Sequence, residues 1–143
     1  MKVQYQTMAE LARDTLLIGA KEKSPQVMSI IQNIESHHFS VRGKFLDKHY
    51  MIPSAHCIQF FSKDKKIYVR TTESEFITAY RLYELEQKLP TNFLRISHTE
   101  IINIDFIDHF SLSKNGLVRI TFSDKQQTYS SRRYLKKIKE ILL

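Results

Sequence analysis

The stretch N-F-L-R-I-S-H-T-E-I-I-N, Asn92 to Asn103, is where a reading of this chain has to start. Phe93 to Ile96 is a short run of apolar and β-branched residues, the pattern of a strand. The apolar pair Ile101-Ile102 follows, and Asn103 then reads as a loop residue between two β segments, since Asn accepts left-handed geometry readily. The same short-period pattern spreads outward on both sides. Upstream, Val41 to Leu46, His49 to Ile52, Ala55 to Phe61, Ile67 to Thr72 and Glu75 to Tyr80 read as strands. Turn signals separate them at Asp47-Lys48, Pro53-Ser54, Ser62 to Lys66 and Thr72 to Ser74. Leu82 to Leu89 fits a two-turn helix, with Leu82, Leu85, Glu86 and Leu89 on one side and Pro90 as its stop. Downstream, Phe106 to Ser113, Leu117 to Ser123 and Gln126 to Ser130 form a meander, and Asn115-Gly116 is its hairpin signal because both residues tolerate positive φ. Ser131 to Leu143 closes the chain as a helix with Leu135, Ile138, Ile141 and Leu142 on its apolar side. Residues 41–143 are therefore expected to form a mostly β domain ending in a basic helix.

The first forty residues read as a small α+β element. Lys2 to Thr7 alternates Val3 and Tyr5 with polar neighbours, and Thr15 to Ala20 is a second strand candidate. Ser24-Pro25 is a helix start: Ser can cap, and Pro at the first helical position loses no useful donor. Val27, Ile30, Ile31 and Ile34 then recur at helical spacing, opposite Gln26, Ser29, Gln32 and Glu35. That stripe must be buried, either on neighbouring strands of its own chain or on a second subunit.

Composition narrows the classes. A chain of 143 residues holds one domain, or one with a modest appendage. With 42% hydrophobic and 26% charged residues it is an ordinary globular sequence, neither disordered nor low-complexity. The longest apolar stretch, Leu16 to Ala20, is far short of the ~20 residues of a membrane-spanning helix. No apolar block follows Lys2 at the start, so no secretory signal is read, and a cytoplasmic protein is expected. The net charge of +7 is unevenly spread. Residues 1–40 hold four basic and four acidic residues, leaving 18 basic and 11 acidic for residues 41–143. A basic domain beside a neutral segment suggests a polyanionic partner for the basic part.

Nothing in the sequence supports an enzyme. Among the six histidines, the adjacent pair His37-His38 would point to opposite faces of a strand, and His49, His56, His98 and His109 lack a partner at ligand spacing, so no metal site is expected. Asp105 and Asp108 have no nucleophile nearby, and Cys57, the only cysteine, lies in an apolar strand where a buried, inert thiol is the default. Three glycines cannot build a phosphate-cradling loop, and no cofactor is implied. The basic residues are more informative. Lys63, Lys65 and Lys66 cluster between two strands, while Arg132 and Arg133 open the terminal helix ahead of Lys136, Lys137 and Lys139. Cations at a helix start oppose the macrodipole at about 0.3–1 kcal/mol each, a cost that an anionic partner would offset. The competing reading is that Arg132 or Arg133 pairs with an acid such as Asp124. Arg suits bidentate reading of guanine and Asn of adenine in a major groove, which singles out Asn103.

At this point the pattern resembles a known family. Asn92 to Asn103 followed by Ile104 to Ile107, and S-S-R-R-Y-L-K-K-I-K from Ser130 to Lys139, resemble the signature of LytTR-type DNA-binding domains of bacterial transcription regulators. F-F-S-K-D-K-K-I-Y-V-R-T (Phe60 to Thr71) and L-Y-E-L-E (Leu82 to Glu86) fit in order and spacing. The resemblance covers residues 41–143 and implies an elongated fold of packed small β-sheets with short helices and a C-terminal helix, not a helix-turn-helix. It implies double-stranded DNA as partner, read in successive major grooves by loops: Lys65 in the first loop, Asn103 in the second and Arg133 in the third as base readers. Lys63, Lys66, Ser131, Arg132, Lys136 and Lys137 would hold phosphates. Two copies on paired direct repeats, hence self-association on DNA, and bending of the DNA are further implications. Forty residues cannot hold a receiver domain, so the chain resembles the stand-alone class, some of whose members are restrained by a membrane-bound inhibitor protein. Residues 1–40 would then help dimerise the protein or receive such an inhibitor. The other reading of the basic face is a protein-interaction module that docks an acidic partner protein; RNA binding lacks an aromatic motif to carry it.

Overall fold

The computed structural model describes the whole chain except Asp14, His37 and His38, and only the backbone of Ser36. The histidine pair considered for metal binding thus lies outside the described residues.

Among the described residues, ten strands and three α-helices follow one another as α1 (Pro25–Ser36), β1 (Ser40–Phe45), β2 (Lys48–Pro53), β3 (Cys57–Lys63), β4 (Lys66–Thr71), β5 (Glu75–Thr78), α2 (Leu82–Lys88), β6 (Phe93–Ser97), β7 (Glu100–Asn103), β8 (Ile107–Leu112), β9 (Val118–Phe122), β10 (Gln127–Tyr129) and α3 (Leu135–Leu142). Short 3-10 turns at Ser54–His56, Ile104–Phe106 and Arg132–Tyr134 link them. Seven strands form one antiparallel sheet in the order β2-β1-β5-β4-β3-β7-β6, and β10-β9-β8 form a second. The fold is mostly β with short helices and a closing C-terminal helix, as the sequence pattern and the resemblance both imply.

The large sheet carries a core on each face at its β3-β7-β6 end, while β2 at the other end is largely exposed. On one side Val41, Ile52, Phe60, Val69 and Ile101 pack under Leu82, Leu85 and Leu89 of α2 and its end. On the other, Ile58, Leu94, Ile96 and Ile102 meet Val118, Ile120 and Phe122 of the small sheet and Ile138 of α3. Successive strand residues point to opposite faces, so the adjacent pair Ile101-Ile102 serves two cores, one residue each. A period-two reading looks for one apolar face and misses such a strand. For that reason β7 was not expected, and Asn103 is not in a loop but is the last residue of β7, paired across from Phe93. Glu84 Oε1 accepts a bond from the Arg81 N–H (3.1 Å) to cap α2, and Pro90 stops it as anticipated. Gly43 is required by close approach: a Cβ there would lie 2.7 Å from Ile52 Cδ1 and 2.8 Å from Phe76 Cβ.

Three further expectations need correction. The Asn115-Gly116 turn joins β8 and β9 as read, but only Gly116 has positive φ (77°), with its N–H donating to Ser113 O (3.0 Å). The terminal helix begins at Leu135, because Arg132–Tyr134 forms a 3-10 turn ahead of it, a common way for a helix to begin. Neither Lys2 to Thr7 nor Thr15 to Ala20 forms a strand. Strand propensity is realised only where a neighbouring edge takes up the backbone N–H and C=O groups; the segment has no such edge among the described residues, and Val3 and Tyr5 are 86% and 87% exposed. Among the described residues helix α1 is the only regular element before Ser40, with Ser24 Oγ accepting from the Val27 N–H (3.2 Å) as the Ser-Pro start implies.

Candidate nucleic-acid interface

Lys63 and Lys66 are the last paired residues of the β3–β4 hairpin, which turns through only Asp64 and Lys65. Both turn residues lie in the left-handed region, Asp64 at φ 52° and Lys65 at φ 63°, as a two-residue type I′ hairpin demands. For a lysine that geometry is unfavourable. Its effect is to place Lys63, Lys65 and Lys66 together on an exposed tip.

Two other segments are bonded to the neighbourhood of that tip. In the β3·β7 register Phe61 lies opposite Glu100, so the end of β3 runs beside the turn Ser97–Thr99 between β6 and β7. The Ser62 N–H donates to Thr99 O (2.9 Å). On the other side of β6, the Ser131 N–H donates to Ile96 O (2.9 Å), which sets the start of the Arg132–Tyr134 turn next to the same hairpin. Backbone bonds thus lace three segments into one edge: the lysine hairpin, the Ser97–Thr99 turn and the Ser131–Arg133 segment. His98 and Thr99 are exposed on the middle one, Arg132 and Arg133 on the last.

Arg95 braces the middle turn. Its Nε donates to Ser97 O (2.9 Å), its Nη2 to His98 O (2.7 Å), and its Nη1 pairs with Glu86 Oε2 at 2.9 Å. Sequence reading passed over Arg95 and His98. The signal that could have found them is the E-I-I-N run taken as a doubly buried strand, which turns S-H-T into a hairpin loop.

The sequence-chosen cations fall on this edge or beside it. Asp124 is paired with Arg70, not with Arg132 or Arg133, and neither of those arginines has an ion-pair partner among the described residues. Lys136 and Lys137 are exposed on α3, Lys137 with its Nζ 4.0 Å from Glu86 Oε1. The Ser131 hydroxyl is buried with no hydrogen-bond partner.

Asn103 is placed elsewhere. It is 1% exposed and stands at the far end of β7, three residues from Glu100, or about 10 Å at the usual strand rise. Its Nδ2 donates to Cys57 O (2.9 Å), and its Oδ1 accepts from the Asp105 N–H (3.0 Å) and from Asn92 Nδ2 (3.0 Å). An amide so engaged clamps the start of β3 to the β7–β8 connection. Cys57 beside it is buried, and burial pushes its thiol up to about 12, the inert state expected of it. Asp108 is held below the usual carboxylate range first by its hydrogen bond with His109, on the exposed side of β8.

A basic edge of loops thus projects from two packed antiparallel sheets. Among the described residues the three α-helices are separated by strands, so no two of them form a helix-turn-helix. Residues 47–143 match the profile of the LytTr DNA-binding domain, and the chain belongs to that family. The fold is shared with a solved LytTr DNA-binding domain from Bacillus cereus, at a TM-score of 0.70 over 72% of this chain and 95% of that one, with 24% sequence identity. Proteins described as uncharacterised HTH-type transcriptional regulators in Staphylococcus aureus strains MSSA476 and MW2 are 37% identical over 146 residues, spanning 99% of this chain and 98% of theirs.

Proposed function

We propose that this protein is a sequence-specific, double-stranded DNA-binding transcription regulator of the cytoplasm that reads major grooves through the loops of one sheet edge, two copies occupying paired direct repeats. The observation that carries this reading is the lacing of three exposed segments, Lys63–Lys66, Ser97–Thr99 and Ser131–Arg133, by the Ser62–Thr99 and Ser131–Ile96 backbone bonds. Membership of a DNA-binding family and the description of the staphylococcal relatives as transcriptional regulators support it.

In this reading Lys65 and Arg133 contact bases. Lys63, Lys66, Arg132, Lys136 and Lys137 hold phosphates, supplying affinity and salt dependence while the base contacts supply register, and Ser131, its hydroxyl buried, acts through the N–H bond to Ile96 O that sets Arg132 in place. Asn103, buried and fully engaged, acts behind the surface as a clamp, and His98 on the braced turn takes the middle base-reading position. A neutral imidazole donates from one ring nitrogen and accepts at the other, so it can meet either kind of group on a base edge.

The deciding experiment compares binding to the protein's own upstream intergenic DNA with binding to scrambled DNA of equal length, at two salt concentrations. A ratio above about a thousand is expected, the range of sequence-specific regulators. Equal binding to that DNA and to every fragment recovered in a genome-wide selection overturns sequence specificity. No binding to either at low salt overturns DNA binding and leaves an acidic protein as the ligand of the basic edge.

A further inference from the structure

Much of the described chain before β1 is open to solvent, while Val27 and Ile31 of α1 are half-buried and Phe39 packs against the first core. Val3, Tyr5, Leu16 and Leu17 are more than half exposed, and Ile18 and three apolar residues of α1, Met28, Ile30 and Ile34, are open to solvent as well. So many exposed apolar residues in one segment point to a partner that covers them. The strand pattern of Lys2–Thr7 and the run Leu16–Ala20 find no backbone partner within their own chain among the described residues. What α1 does contact is the α2–β6 loop, through a hydrogen bond from Thr91 Oγ1 to Asn33 Oδ1.

We propose that residues 1–36 are a dimerisation arm whose occupant is the same arm of a second copy, the extended segments pairing across a two-fold axis under the two α1 helices. Charge selects this occupant. Residues 1–40 carry four basic and four acidic residues, and α1 has one charge, Glu35. A strongly acidic or basic partner finds nothing to complement here, whereas two identical neutral arms meet without repulsion. An isologous two-fold contact needs one self-complementary surface, and the unpaired backbone of one arm meets the same donors and acceptors on the other. The arm lies outside the 47–143 match, yet the staphylococcal relatives align with 99% of this chain, so the arm belongs to the longer shared unit and not to the DNA-binding domain alone. The inference goes beyond the DNA-binding reading and stands or falls separately from it.

The test is sedimentation of the full chain without DNA, beside the double variant Ile30→Asp/Ile34→Asp. Dimeric wild type at tens of micromolar is expected, with association weakened at least a hundredfold in the variant and an unchanged melting temperature for residues 41–143. Ile30→Cys should give an inter-copy product with a short bis-maleimide, and Ser29→Cys on the opposite face should not; buried Cys57 keeps the background silent. A monomeric wild type overturns the proposal, as does a dimer that the double variant leaves intact or that crosslinks equally from both positions.

Discussion

Arg70 on β4 is ion-paired with Asp124 from the β9–β10 turn, so one buried guanidinium joins the large sheet to the small one. Its Nε donates to Gln59 Oε1 (2.6 Å), and its Cζ stands 5.0 Å from the centre of the Phe122 ring. Arg70 is 4% exposed, and removing one partner of a buried pair leaves the other charge desolvated. Asp124 is about a third exposed, so the penalty falls mainly on changes that strand Arg70, softened by water at the aspartate. Asp124→Ala, which strands Arg70, is expected to cost about 3 kcal/mol and Arg70→Ala about 1–3 kcal/mol. Urea unfolding reads both. A loss under about 0.5 kcal/mol for Arg70→Ala, the scale of an ordinary surface change, would contradict the rivet.

The same network makes stability depend on pH. Glu100 accepts from Thr128 Oγ1 at 2.6 Å and from Gln59 Nε2, yet burial outweighs these bonds and Arg70's charge and raises its carboxyl above the usual 4.5. A carboxyl raised on folding binds more protons in the native than in the unfolded state across that window. Stability therefore falls as pH rises from about 4.5 through the raised native value. Glu100→Gln should remove this slope while leaving other pH effects in place. An unchanged slope in the variant would assign it to another group.

Lys65 is a test of geometry against contact. At φ 63° it sits where glycine is favoured, so Lys65→Gly should raise stability by about 1 kcal/mol while it weakens DNA binding. Opposite signs in the two assays separate a residue kept for its ligand from one kept for its turn. Gains in both, read by thermal unfolding and by titration with DNA, would remove Lys65 from the interface.

How much of this was legible depended on which faces were buried. Strands with one apolar face, such as β8 and β9, and the helix stop at Pro90 could be read directly, as could the lysine tip between two strands. Strand β7 could not, because Ile101 and Ile102 face different cores and so erase the alternation. That one omission displaced Asn103 from a strand end into a loop and hid the Ser97–Thr99 turn. The segment before Ser40 differs for another reason: its strand-like pattern at Lys2–Thr7 and Thr15–Ala20 meets no pairing edge among the described residues, so no strand forms.

Arg133 and Lys136 should separate specificity from affinity. Arg133→Ala is expected to lose about 1–3 kcal/mol on cognate DNA and much less on scrambled DNA. Lys136→Ala should weaken both alike and lower the salt slope by about 1. Equal losses for Arg133→Ala on both DNAs would make it a phosphate contact, a role its exposed, unpaired position also permits.

His98 and Asn103 stand at opposite ends of the β6–β7 hairpin, and their alanine variants should behave in opposite ways. Asn103→Ala leaves the Cys57 carbonyl and the Asp105 N–H without their partner inside the fold, at a cost of about 1–3 kcal/mol in stability. His98→Ala removes an exposed side chain from a turn whose carbonyls stay held by Arg95, so stability should change by less than about 0.5 kcal/mol. On DNA the order reverses: His98→Ala should narrow the gap between cognate and scrambled sequence, while Asn103→Ala should keep that gap below its lowered melting temperature. If Asn103→Ala erases discrimination with the domain fully folded, the amide leaves its clamp to meet DNA, and the assignment of the middle position to His98 is wrong.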